Sequence, residues 1–415
     1  MGRNKRYSGY SAYDYLEPGK DYKKFQLRQA IVPEWEYKVP LSKTEEDRFQ
    51  EILEKNIIVD LHEHPCLYPK DLDDSPRLTS HGKQFMAYEA LSHSGIDCVF
   101  DNLLDGRCNI NTKHGWDWMS TLHDLGQRLC DISHQDFVIH CKSTRDIHEA
   151  FDKGKLAWVA ALESASCVEN EVDRIDVLFG LGVRSLGICY SENNMLGGGM
   201  GELSQDAGLS DFGYDCLVRM NKLGMLIDVG HTSDRTALEV IEYSKDPIYN
   251  SHSGPGAIAQ GHTSGDEVLK ALAESDGLMA IGGAGRGLRT KKHPIGSIDS
   301  YGECMEYCIE VMGIDHVACG PDSLYGDHQE HYEAFAKWSE SAGLGKYNKP
   351  GKKETEERFP VPENMSDPGY VKGLENPNEF VNIARWMIKN GYTDEEISKV
   401  MGKNALRLLE KVWPK

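Results

Sequence analysis

The stretch FGYDCLVRMNKLGMLIDVGHTSDRTALEVIEYSKDPIYNSH (212–252) carries the architecture. It opens on FGYDCLVRMNKLG, whose apolar residues recur at helical spacing, and passes into the apolar MLIDVGH (225–231). A second amphipathic run, DRTALEVIEYS, leads to another apolar segment, PIYNSH (247–252). Near-continuous apolar strands alternating with helices describe a parallel sheet covered on both faces.

The rhythm extends in both directions. IIVDLH (57–62), IDCVFDN (96–102), LAWVAALE (156–163) and VRSLGICY (183–190) come before, and LMAIGGA (278–284) and HVACGPD (316–322) come after. Between them lie helical stretches such as EEDRFQEILEKN, DRIDVLFGLG and GECMEYCIEVMG. Eight such strands predict an α/β fold, a (β/α)8 barrel of TIM type, with a doubly wound sheet as the alternative. Residues 1–48, rich in Tyr, Lys and Glu, read as an N-terminal extension and 49–415 as the barrel. The polar segment 326–375 reads as an inserted loop after the eighth strand, and the end of the chain predicts two closing helices. Asn390-Gly391 stops the first of these and Thr393 caps the second.

Composition narrows the function classes. A net charge of −20 over 415 residues opposes a nucleic-acid or anionic-membrane partner. No run approaches the roughly 18 apolar residues of a membrane span. The polar start Met1-Gly2-Arg3-Asn4-Lys5-Arg6 is unlike a secretory leader. Eleven cysteines without a CxxC pair, several inside apolar runs (Cys98, Cys189, Cys319), predict free thiols in a reducing cytoplasm.

Chemistry gathers where the apolar runs end. His62 and His64 end the first, Glu163 the third, Tyr190 the fourth, His231 the fifth, His252 the sixth and Asp322 the eighth. In a barrel that rim holds the active site. Residues i and i+2 of a strand point to one side, so His62 and His64 can reach one ion. Buried ionisable groups are costly unless paired or metal-bound. Four imidazoles and two carboxylates match the ligands of zinc or a similar divalent ion.

From about residue 50 onward the sequence resembles the membrane (renal) dipeptidase family of the amidohydrolase superfamily. GLSDFGYDCLVRMNKLGMLIDVGHTS followed by PIYNSHSGPGAI carries most of the likeness, and VDLHEHP, ALESA and HVACGPD add to it. The resemblance implies a metal-dependent barrel hydrolase that cleaves a peptide or amide C–N bond of a small polar substrate. It implies two Zn2+ ions bridged by Glu163, one held by His62, His64 and Asp322, the other by His231 and His252. A single ion, or Mn2+, Fe2+ or Co2+, stays open. Asp322 is the implied base for a metal-activated water that attacks the carbonyl. A homo-oligomer is implied by analogy alone.

The sequence departs from that family at informative places. His64 stands where the family has Asp, which raises the charge of a metal cluster by one unit. Tyr190 stands where the family has a substrate-contacting His, and the substrate-gripping Arg has no counterpart, with His262 near its place. Arg286 and Arg289, in the Gly-rich GGAGRGLR (282–289), are candidates to hold a substrate anion instead. That segment lacks the GK[ST] of a phosphate loop. Asp228, inside an apolar strand, is a candidate to orient a ligand histidine. Glu63 is expected to be structural, and Cys304 and Cys308 to be packing residues. Two alternatives to dipeptide hydrolysis remain: another reaction on the same centre, such as decarboxylation or non-peptide amide hydrolysis, and a catalytically inactive metal-binding barrel.

Overall fold

A computed structural model describes residues 11–29, 37–74, 77–78, 83–103, 117–202, 206–283, 288–325, 360–362, 364–365 and 371–414. Arg286 and most of the expected insertion 326–375 lie outside these. Eight parallel strands follow one another around a barrel: β1 (Val59–Leu67), β2 (Cys98–Leu103), β3 (Leu156–Leu162), β4 (Val183–Gly187), β5 (Leu226–Asp228), β6 (Tyr249–Pro255), β7 (Leu278–Ile281) and β8 (Val317–Cys319). Each pairs with the next in sequence order. A doubly wound sheet reverses its order at a switch point, so that alternative is excluded.

The barrel closes through the segment after β8. Leu324–Tyr325 pairs in parallel with β1, and the Asp322 amide donates to the His62 carbonyl at 3.1 Å. The closure demands a glycine at 320. A Cβ there would lie 2.1 Å from the Ser251 carbonyl oxygen and 3.2 Å from the His62 Cβ.

The apolar runs hide an alternation that burial on both faces conceals. Val59, Leu61, Phe100, Ala157, Val159, Ala280 and Ala318 pack in one cluster with Leu408, Leu409 and Trp413 near the end of the chain. Their strand neighbours Ile58, Val99, Trp158, Met279 and Val317 pack in a second cluster with the surrounding helices. Continued past Leu61, this alternation would turn His62 away from the interior. A register break against β2 between Asp60 and Glu63 resets it, because a one-residue slip exchanges the faces.

The helices start and stop where local chemistry dictates. The Ser210 hydroxyl accepts from the Gly213 amide at the start of the helix Asp211–Leu223, and Gly224 ends it with φ 72°. The first closing helix is Asn382–Lys389, with Gly391 at φ 84° just beyond it. The second expected helix is broken into Asp394–Ser398, capped by Thr393, and Asn404–Val412. A Cβ on Gly402, between them, would lie 2.0 Å from the Ile57 carbonyl oxygen, so tight packing under β1 bends the chain there.

Four short strands have no counterpart among the apolar runs: Phe85–Met86, Val138–His140, Thr263–Ser264 and Leu324–Tyr325. Val138–His140 pairs with the first residues of β3 on the edge where β4 pairs with its last. The His140 Nε2 donates to the Gly182 carbonyl at 3.1 Å, joining the two. Burial pushes this imidazole down to about 4. Its unfolded counterpart takes a proton near pH 6.5, so this ring lowers stability progressively as pH falls from about 6.5 towards 4.

Two outcomes are expected in unfolding experiments. Gly320→Ala should lower the stability of the metal-free protein by about 1–3 kcal/mol through overpacking; unchanged denaturant midpoints would show that the closure has slack. His140→Gln should lose less stability than the wild type between pH 7 and 4.5, by about 1–3 kcal/mol. Parallel stability-against-pH curves would remove His140 as an acid-sensitive element.

Candidate metal centre

The rim of the barrel brings the strand-end side chains together around one carboxylate. The Glu163 Oε1 lies 2.7 Å from His231 Nε2, 3.5 Å from His252 Nε2 and 3.6 Å from His62 Nε2. Its Oε2 lies 3.9 Å from His64 Nε2. Asp322 Oδ1 completes the near side, 3.3 Å from His64 Nε2 and 3.6 Å from His62 Nε2. Two triads result, His62, His64 and Asp322 on one side and His231, His252 and His262 on the other, each with ligand atoms within 4.8 Å. Glu163 touches both.

The donor set fits divalent cations. His231 Nε2 and His252 Nε2 are 3.0 Å apart, and the His62 and His252 rings stack at 3.5 Å. Burial holds His62 and His252 well below the usual imidazole range and His231 down to about 4, so these rings are neutral at pH 7. Among the described residues neither ring nitrogen of His62 has a hydrogen-bond partner. Uncharged imidazoles crowded against carboxylates are in the protonation state that a metal ion requires.

Outer contacts fix the ring orientations. The His64 Nδ1 donates to the Asn102 carbonyl at 2.7 Å, which leaves Nε2 to face Asp322. The His252 Nδ1 meets the Ser251 hydroxyl at 2.7 Å, and that hydroxyl donates to Asp228 Oδ2 at 2.6 Å. Asp228 Oδ1 accepts from the Gly230 and Ser251 amides. Burial raises Asp228 to about 6 despite these donors. Asp228 thus orients His252 through Ser251. Sequence reasoning singles out Asp228 but not Ser251 or Asn102. The SHS segment offers a signal for Ser251, whereas a backbone carbonyl carries none.

The other residues singled out in the sequence are placed as follows. Tyr190 sits with its ring 4.1 Å from that of His231, three residues past the end of β4. His262 stacks on His231 at 4.3 Å and its Nε2 bonds the Gly230 carbonyl, while burial pushes its ring down to about 3. Arg289 is buried beside Leu288, which lines a small cleft with His252 and His262. Glu63 accepts from the His64 amide and the Ser323 hydroxyl, tying β1 to the closing segment. Cys304 and Cys308 are buried. Asp322 has φ 54°, a left-handed conformation costly for a residue other than glycine and concentrated at functional sites.

Known proteins share this barrel fold. The family model for membrane dipeptidase, peptidase family M19, matches residues 46–334. The chain belongs to this family. The family takes its name from a membrane dipeptidase. The dipeptidase tcpJ of Claviceps purpurea is 23% identical over 292 residues, 70% of this chain and 58% of that protein. The M19 chain thus spans less than two thirds of that relative's length. A Pseudomonas aeruginosa amidohydrolase superposes with a TM-score of 0.69 at 24% identity, over 88% of this chain and 99% of its own. A Rhodobacter sphaeroides metallo peptidase, solved with a phosphinate mimic of the dipeptide L-Ala-D-Ala, superposes with a TM-score of 0.64 at 16% identity. It covers 86% of this M19 chain and 100% of its own. Both likenesses are of fold. No helix among the described residues is long and apolar enough to cross a membrane.

The Ser251 relay yields a direct test. Ser251→Ala removes the acceptor of the His252 Nδ1–H and should weaken metal binding roughly 10–100-fold, read by competition with a chromophoric chelator. An affinity equal to the wild type would show that His252 needs no such tether.

Proposed function

We propose that the protein is a two-metal hydrolase of a peptide or amide C–N bond in a small polar substrate. One observation carries this reading: a single buried carboxylate, Glu163, stands within 3.9 Å of ring nitrogens from both histidine groups. One ion would take His62, His64 and Asp322, the other His231 and His252, with Glu163 shared. Two divalent ions in such a site, zinc first among those suited to imidazole and carboxylate, supply Lewis acidity and lower the pKa of a water to near neutrality.

The chain's own residues supply the rest. Asp322, aimed inward by its left-handed backbone, accepts the proton of the attacking water and passes it to the departing nitrogen. Glu63 and Ser323 brace the segment on which Asp322 stands. Tyr190, beside His231, borders the space a substrate would enter. The ten described cysteines are free and all but Cys130 buried, which supports a reducing compartment such as the cytoplasm.

The test joins chemistry to composition. Purified protein should hold two ions per chain by elemental analysis and release amino acids from dipeptide mixtures supplied with Zn2+, Mn2+ or Co2+. Asp322→Asn should lower that rate by about 10²–10⁴-fold. An equally active variant would remove Asp322 from proton transfer. A metal-loaded protein inert towards every dipeptide would move the reading to another amide or to decarboxylation, and a metal-free one would sink it.

A further inference from the structure

We infer that His262 is a third imidazole ligand of the ion held by His231 and His252, and not part of the substrate grip. This assignment rests on the two-metal reading and extends it. The tautomer of the ring decides first. A carbonyl oxygen only accepts, so the bond between His262 Nε2 and the Gly230 carbonyl places the ring's hydrogen on Nε2. In the neutral ring Nδ1 then carries the lone pair. A ring whose one hydrogen is spent on the backbone has none to donate to a substrate carboxylate, and its lone pair repels one.

The position of the ring says where that lone pair is useful. His262 lies nearly parallel to His231, with centroids 4.3 Å apart and 20° between planes, and edge-on to His252 at 4.5 Å and 73°. One nitrogen from each of the three rings falls within 4.8 Å of the others. The arrangement also repeats the local rule of the cluster. His64 gives one nitrogen to the Asn102 carbonyl and His252 gives one to the Ser251 hydroxyl, leaving the other to face the centre. His262 likewise ties one nitrogen, Nε2, to the Gly230 carbonyl. Ligating histidines characteristically tie down their second nitrogen in this way.

The consequence is an asymmetric pair of sites. His62, His64 and Asp322 offer two nitrogens and an oxygen, whereas His231, His252 and His262 offer three nitrogens. The three-imidazole site favours Zn2+, Co2+ or Ni2+ over Mn2+ or Mg2+. Any negative group of the substrate must therefore be met by the ions themselves or by another element of the rim.

Co2+ titration of the metal-free full-length chain tests this, with visible absorption and bound-metal analysis as readouts. His262→Gln keeps an N–H donor for Gly230 but loses the imidazole, and His262→Ala removes both. The wild type is expected to take up two ions per chain. Both variants should bind the first as before and the second at least tenfold more weakly, with an altered d–d spectrum. Two ions bound by His262→Gln with wild-type affinity and spectrum would overturn the assignment and leave the two-metal reading standing. Equal weakening of both ions, alongside a lower unfolding midpoint of the metal-free variant, would also overturn it, as the mark of a purely structural residue. A wild type that binds fewer than two ions would instead break the two-metal reading.

Discussion

Everything in this molecule is arranged around the contact between the Glu163 carboxylate and three neutral imidazoles. Desolvation disfavours charge in the barrel mouth, and so His62, His231 and His252 are held in their uncharged form. Without a cation, such a cluster would be a liability: polar groups are buried together, and among the described residues both ring nitrogens of His62 lack a hydrogen-bond partner. With one, the same crowding becomes coordination. The barrel exists, in energetic terms, to keep these groups close enough for that exchange. The small residues Ala157, Ala280 and Ala318 below, and glycine at 320 beside His62, let the walls approach.

The path from sequence to fold is short because parallel strands buried on both faces are written as apolar runs. All eight runs are strands, in order. Their ends are less legible. β4 stops at Gly187, β5 at Asp228 and β8 at Cys319, each three residues before the Tyr190, His231 or Asp322 that closes the apolar run. Ladder bonding ends where the chain turns to present a side chain, and periodicity does not record that turn. The break at Gly402 is likewise invisible, since it arises from a neighbour 345 positions earlier in the chain, Ile57, and not from local propensity.

The same distinction holds at the rim. His62, His64, Glu163, His231, His252 and Asp322 are legible because ionisable side chains at the ends of apolar runs are conspicuous, and they lie together. Acceptors without a side-chain signature, the carbonyls of Asn102 and Gly230, leave no such mark. These set ring tautomers, and a tautomer decides whether a histidine donates or ligates. His262 shows the difference: its residue type allows a substrate contact, while its hydrogen bond argues for another employment.

The junction at β3 has a mechanical side. One edge of that strand is shared end to end by Val138–His140 and Val183–Gly187, so the wall here is a seam and not one continuous rung pattern. His140 spans it, and Arg184 does so from the other side by donating to the Lys142 carbonyl. Two such clasps hold less firmly than an unbroken ladder. The seam is thus where the wall can breathe, exchanging its amide hydrogens by local opening while the remaining strands stay closed.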